Sequence, residues 1–183
     1  MNKVVIFDRD GVINELVQHG AQLTAPYNLS ELRYLPRIVD AVKIIKNLGF
    51  LTFIATNQPN LTLCQLSAIN NSIKRKLELD EVYSAVNQAS EEYKPEIGMF
   101  KKIIDNHKVD PSKSYVLGDS WKDIVPGHKT GFTTIFIGEN YSSPQEYGHI
   151  QPNYICPSAY QASLLIRNLT DYNFKEKSRE YFI

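Results

Sequence analysis

Val4-Val5-Ile6-Phe7-Asp8-Arg9-Asp10-Gly11 is the stretch that decides the fold. Four consecutive apolar residues ending on an acid read as a strand buried on both faces, as in a parallel sheet. The pattern recurs downstream. Leu51–Ala55 is followed by Thr56-Asn57-Gln58, and Tyr115–Leu117 by Gly118-Asp119-Ser120. Val82–Val86, Thr133–Ile137 and Tyr154–Cys156 read as further strands. Between these runs apolar residues return at helical spacing: Ile38, Ala41, Val42, Ile45 and Leu48, then Leu66, Ile69, Ile73 and Leu77, then Ile97, Phe100, Ile103 and Ile104 after Pro95.

Local signals place several boundaries. Gly49 stands where a left-handed cap would end the first helix. Thr62 and Gln65 form a capping box, and Leu61 with Leu66 a hydrophobic staple. A helix between the fourth and fifth strands should end near Gly131, kinked or started late by Pro126, whose ring removes a hydrogen bond. Ser158 and Gln161 make a second capping box, opening a last helix that is expected to reach about Asn168. The final fifteen residues, polar and aromatic, carry no assignment. Strand–helix alternation with right-handed crossovers predicts an α/β fold: a Rossmann-like parallel sheet sandwiched by helices, one domain over residues 1–183.

The 183 residues suit a single domain, and 43% hydrophobic with 22% charged residues is ordinary globular composition. Twenty basic and twenty acidic side chains cancel, so neither a nucleic-acid partner nor a membrane surface is expected. Cys64 and Cys156 form no Cys-x-x-Cys pair, which argues against a disulfide framework or a cysteine-rich zinc site. The apolar run Val4–Phe7 is too short for a signal-peptide core or a membrane span. A cytoplasmic monomer is the default expectation.

Ligands of open parallel sheets bind beyond the carboxyl ends of the strands. Three strands deliver Asp8 and Asp10, Thr56 and Asn57, and Asp119 with Ser120 and Asp123 to that edge. If extended geometry persists, Asp8 and Asp10 face one side. With Asp119 they make a three-carboxylate cluster that needs a counter-charge, and hard oxygen ligands suit Mg²⁺. One such acid alone reads equally well as a turn or helix-cap residue. Three at one edge, together with Lys94, point to a site. The four histidines fit no metal spacing.

Asp8-Arg9-Asp10-Gly11-Val12-Ile13-Asn14, Thr56-Asn57-Gln58, Lys94-Pro95 and Gly118-Asp119-Ser120-x-x-Asp123 together resemble the four motifs of the haloacid dehalogenase-like (HAD) superfamily, in order over residues 8 to 123. The resemblance implies a Mg²⁺-dependent phosphatase. Asp8 would be the covalent nucleophile, and Asp10 the acid that protonates the leaving oxygen and then the base that activates water. Thr56 would hydrogen-bond the phosphoryl group, and Lys94 would place positive charge on it and on Asp8. Mg²⁺ would be held by Asp8, Asp119 and the main-chain carbonyl of Asp10. Asp123 and Ser120 would support this arrangement, and Asn57, Lys94 and Asn14 would contact substrate.

Only 46 positions separate Asp10 from Thr56, and 38 separate Thr56 from Lys94, leaving no room for a cap domain. Specificity should then reside in loops, first of all Glu15–Pro36. Asn14, Tyr34-Leu35-Pro36 and Lys94-Pro95-x-x-Gly98-Met99 narrow the resemblance to the D-glycero-D-manno-heptose 1,7-bisphosphate 7-phosphatases and histidinol-phosphate phosphatases. That implies a small phosphorylated metabolite as partner. Members often carry a zinc loop of Cys and His before an Arg-Lys-Pro; residues 86–93 contain neither, and Tyr93 stands in place of the arginine, so no zinc is expected. A histidinol-phosphate, nucleotide or nucleic-acid-end phosphatase, or an idle partner-binding module, are the alternatives.

Overall fold

The computed structural model describes the backbone of residues 1–180 and the side chains of residues 1–171. Six strands form one all-parallel sheet: β1 (Val4–Phe7), β4 (Leu51–Asn57), β5 (Glu81–Ala85), β6 (Tyr115–Gly118), β7 (Thr133–Ile137) and β8 (Tyr154–Cys156). Their spatial order is β5-β4-β1-β6-β7-β8, which puts the most apolar strand at the centre. In β1, Val4 to Phe7 are each at most 1% exposed, as a strand covered on both faces requires. Its register with β4 pairs Val4 with Leu51 and Phe7 with Ile54.

Five helices cover the sheet: α1 (Ile38–Asn47), α2 (Leu63–Leu77), α3 (Gly98–His107), α4 (Trp121–Lys129) and α5 (Ala159–Glu180). Alternation along β1 sorts the core. Val5 and Phe7 pack with the apolar faces of α1, α2 and α5, while Val4 and Ile6 pack with Met99, Phe100 and Ile103 of α3 on the other side. Ile124 and Val125 of α4 pack with Phe136 of β7.

The capping box of α2 is present: the Thr62 side chain accepts from the Gln65 N–H, and the Gln65 side chain accepts from the Thr62 N–H. β4 and β6 run on to Asn57 and Gly118, past the expected ends, and four other features differ from the sequence expectation. β5 lies one residue earlier than Val82–Val86, leaving Val86 38% exposed. α4 does not start late. Ser120 caps it by accepting from the Lys122 N–H at 3.2 Å, and it runs through Pro126 to Lys129. Pro126 can be accommodated because the carbonyl it leaves without a donor belongs to exposed Lys122. α5 starts after Ser158, which accepts from the Gln161 N–H, and continues past Asn168, since no glycine or proline stops it. The unassigned final segment therefore begins as helix, and residues 181–183 lie outside the described residues.

The fourth difference is a hairpin within Glu15–Pro36: β2 (Val17–His19) and β3 (Gln22–Thr24), antiparallel. It is tied down at both ends. Glu15 N donates to the Arg33 carbonyl at 2.8 Å, and Leu35 N to the Ile13 carbonyl at 2.9 Å. The segment 58–94 holds only α2, β5 and connecting turns.

Candidate active site

The carboxyl ends of β1 and β4 and the start of α4 meet around a cavity of about 470 Å³. Asp8 and Asp10 enter it from β1, Thr56, Asn57 and Gln58 from β4, and Ser120 and Asp123 from α4. Lys94 arrives from the loop between β5 and α3 through a cis Lys94–Pro95 peptide.

Lys94 is 2% exposed and organises one side of the cavity. Its ammonium donates to Asp8 Oδ1 at 2.9 Å, to the Ala55 carbonyl at 2.7 Å and to Asp123 Oδ1. Burial alone would lower its pKa. The Asp123 and Asp8 carboxylates outweigh that and hold it above the ordinary lysine value, so Lys94 stays charged. Asn57 fixes the loop: its amide donates to the Lys94 carbonyl at 2.8 Å and accepts from the Lys94 N–H at 3.0 Å.

Negative charge still exceeds positive. One oxygen from each of Asp8, Asp119 and Asp123 can be chosen so that all lie within 4.8 Å of one another. Burial, then the charge of Asp8, pushes the Asp119 carboxyl up to about 7. Asp123 Oδ2 is buried without a partner. The chain leaves room for this cluster at Gly11, which has φ +84°; a Cβ there would lie 1.9 Å from Asp119 Oδ2. A Cβ at Gly118 would lie 2.1 Å from the Cβ of Asp123. Hard oxygens, surplus negative charge and an orphaned carboxylate oxygen fit Mg²⁺.

Asp10 is held differently. Arg9, fully buried, reaches its two oxygens through Nε at 3.3 and 3.2 Å and through Nη2 at 3.1 Å. Asn14 Nδ2 donates to Oδ1 at 2.8 Å, and Gln58 Nε2 to Oδ2 at 2.5 Å. Gln58 Nε2 also lies 2.8 Å from Thr56 Oγ1, which accepts.

The structure thus brings Asp8, Asp10, Thr56, Lys94, Asp119, Ser120 and Asp123 together. One expected substrate contact requires correction. Asn14 is 0% exposed and off the cavity wall; it holds Asp10 and the Glu15 carbonyl. Asn57 lines the cavity and also holds the Lys94 backbone, which uses one of its two amide N–H bonds. Sequence reasoning missed the roles of Arg9 and Gln58, although both sit inside quoted motifs. The hairpin segment supplies a wall of Leu16, Leu23, Thr24, Ala25 and Tyr27, within the loop expected to carry specificity.

The HAD-hydrolase-like family matches residues 93–162. A D-glycero-beta-D-manno-heptose-1,7-bisphosphate 7-phosphatase of Pasteurella multocida is 23% identical over 188 residues, covering 92% of this chain and 99% of that protein. A probable D-glycero-D-manno-heptose-1,7-bisphosphate 7-phosphatase of Thermoplasma volcanium is 29% identical over 132 residues, covering 64% of this chain and 85% of that protein. Among solved structures, the D,D-heptose 1,7-bisphosphate phosphatase of B. bronchiseptica, complexed with magnesium and phosphate, superposes with a TM-score of 0.75 at 20% identity, covering 91% of this chain and 98% of that one. A protein from Mesorhizobium loti gives a TM-score of 0.73 at 19% identity, covering 92% of this chain and 87% of that one.

Proposed function

We propose that this HAD-superfamily phosphatase hydrolyses a phosphomonoester of a small sugar through a covalent intermediate on Asp8, with D-glycero-D-manno-heptose 1,7-bisphosphate as substrate and its 7-phosphate as the group removed. The observation that carries the reading is the position of Asp8. It is 2.9 Å from the Lys94 ammonium, beside Asp119 and Asp123, and on the cavity wall with Asp10.

In the first step an oxygen of Asp8 bonds to phosphorus while the bond to the sugar oxygen breaks, and Asp10 supplies the proton that oxygen needs. In the second, Asp10 takes a proton from water as the water oxygen attacks phosphorus, and Asp8 is released with inorganic phosphate. Lys94 orients Asp8 and balances charge as the phosphoryl group passes between oxygens. Thr56 offers a hydroxyl to the same group. Asp8, Asp119 and the Asp10 carbonyl, supported by Asp123, would hold Mg²⁺, which would supply positive charge against the phosphoryl oxygens.

A second phosphate needs a second cation. The three N–H bonds of Lys94 are matched by Asp8, Ala55 and Asp123. Lys122 is the other lysine on the cavity wall, and it makes no salt bridge among the described residues. It is suited to the phosphate that is not transferred, the task left open by Tyr93. Apolar Leu16 and Leu23 and the Tyr27 ring then face the sugar carbons.

Phosphate release from the heptose bisphosphate, histidinol phosphate and nucleoside monophosphates, with Mg²⁺, tests the reading. The bisphosphate should lead, and Lys122→Met should raise its KM more than that of a monophosphate. Histidinol phosphate in first place would overturn the substrate, and normal turnover by Asp8→Asn would overturn the nucleophile. The reading places the protein in the cytoplasm as a monomer. No described helix is long and apolar enough to cross a membrane, and gel filtration tests the monomer.

A further inference from the structure

Asn70 interrupts the apolar face of α2. Leu66, Ile69, Ile73 and Leu77 on that face are all buried, and Asn70 sits among them at 9% exposure. A buried amide on an apolar face is unfavourable unless its polar atoms are used. This one is used: Asn70 Oδ1 accepts from Arg9 Nη1 at 3.0 Å. Arg9 is 0% exposed, lies between Asp8 and Asp10 in sequence, and applies its Nε and Nη2 to the Asp10 carboxylate.

The three side chains form a continuous strut from the middle of a helix to the reacting edge of the sheet. Guanidinium is planar with fixed donor directions, so anchoring Nη1 on α2 sets the plane in which Nε and Nη2 meet Asp10. We infer that Asn70 is a positioning residue. Through Arg9 it fixes the direction in which the Asp10 carboxyl faces the leaving oxygen. None of the four motifs includes it. Asn14 and Gln58 hold Asp10 from other sides but approach from the loop and strand next to it. Among the described residues, the Arg9–Asn70 contact is the one that ties Asp10 to a helix whose far face is solvent.

The inference rests on Asp10 acting as the acid, and the leaving group separates the two ideas. A sugar alkoxide is a strong base and needs a proton to depart; p-nitrophenolate is a weak base and does not. Because kcat/KM reports the steps through departure of the leaving group, a misdirected acid should lower it for an alkyl phosphate and spare p-nitrophenyl phosphate. Positioned acids are worth roughly 10²–10⁴-fold in rate, so a partial loss of aim should cost about tenfold.

The experiment compares both substrates in wild type, Asn70→Leu and Asn70→Ser, the serine being small enough to fold without reaching Arg9. The thermal shift produced by Mg²⁺ serves as the check that Asp8, Asp119 and Asp123 are intact. The expected result is a fall of about tenfold for the alkyl phosphate in both variants, with p-nitrophenyl phosphate within about threefold and the Mg²⁺ shift unchanged. Equal losses on the two substrates would reduce Asn70 to a structural role, and no loss on either would remove it altogether. Should Asp10→Asn itself retain full alkyl-phosphate activity, the acid assignment fails and not the strut.

Discussion

Replacing Lys94 with methionine keeps an unbranched side chain one atom shorter and removes its charge. Three hydrogen bonds disappear: to Asp8, to the Ala55 carbonyl and to Asp123. Their fates differ. The Asp8 side chain is 14% exposed and can recover solvent or metal, whereas that of Asp123 is 3% exposed, already pushed up to about 8, and loses the buried cation that favours its charged form, so it must take up a proton or stay charged without a counter-charge. Breaking a buried ion pair by removing one partner costs about 3–5 kcal/mol. For a chain of this size that corresponds to a fall in Tm of roughly 6–20 °C. Turnover should drop by about a hundredfold or more, the scale of losing one preorganised electrostatic partner of a transition state. Lys102 supplies the internal control. Its pair with Glu92 is exposed, 48% and 38%, so Lys102→Ala should change stability by less than about 1 kcal/mol. Urea unfolding followed by circular dichroism, with phosphate release measured on the same preparations, reads both. A Lys94→Met protein as stable as the Lys102→Ala protein would refute the claim that Lys94 is the counter-charge of a buried cluster.

Three further outcomes are expected. The Asp119 carboxyl, pushed up to about 7, holds its proton in the folded metal-free protein at pH values where the unfolded chain has lost it. Its contribution to stability is therefore present below the ordinary carboxylate range, near pH 4, and lost as pH rises toward 7. Mg²⁺ competes with that proton, so the thermal shift at fixed Mg²⁺ should be larger at pH 8 than at pH 5.5, and an equal shift would contradict the assignment. Gly11→Ala should abolish most of the Mg²⁺ shift, because its Cβ would occupy the place of Asp119 Oδ2; titration calorimetry with Mg²⁺ checks this. Thr62→Ala removes the α2 cap and should cost about 1 kcal/mol in urea unfolding while leaving kcat within about twofold.

What the sequence revealed and what it hid follow from the range of the forces involved. β1, β4 and β6 were legible because a strand covered on both faces must be largely apolar, and the polar residues that end it must then lie at one edge. The α2 cap was legible because its partners are three residues apart. The hairpin was not, since β2 and β3 have three residues each and only partial burial. Asn14 and Asn57 read as substrate contacts because an amide beside catalytic acids has that use, but only Asn57 lines the cavity. Their bonds to Asp10 and to the Lys94 backbone depend on how turns close and on a loop 37 residues away in sequence. Asn70 left a faint mark as a polar residue in an apolar stripe, but its partner lies 61 residues away. Pro126 predicts a helix that is kinked or starts late; the start was set by the well-placed Ser120 cap instead.

The two backbone bonds that clamp residues 15 and 35 to their neighbours give the hairpin segment an origin and a terminus close together in space. Such a segment can be exchanged like an interchangeable tool head, provided that buried Leu32 and the partly buried Tyr27 and Tyr34, which pack on the core shared with Val5 and Phe7, are kept. Grafting the corresponding stretch of a relative between these clamps should transplant ligand preference while leaving the hydrolytic machinery intact. Diversification of this architecture would then proceed by re-upholstering one wall, with the chemistry inherited untouched.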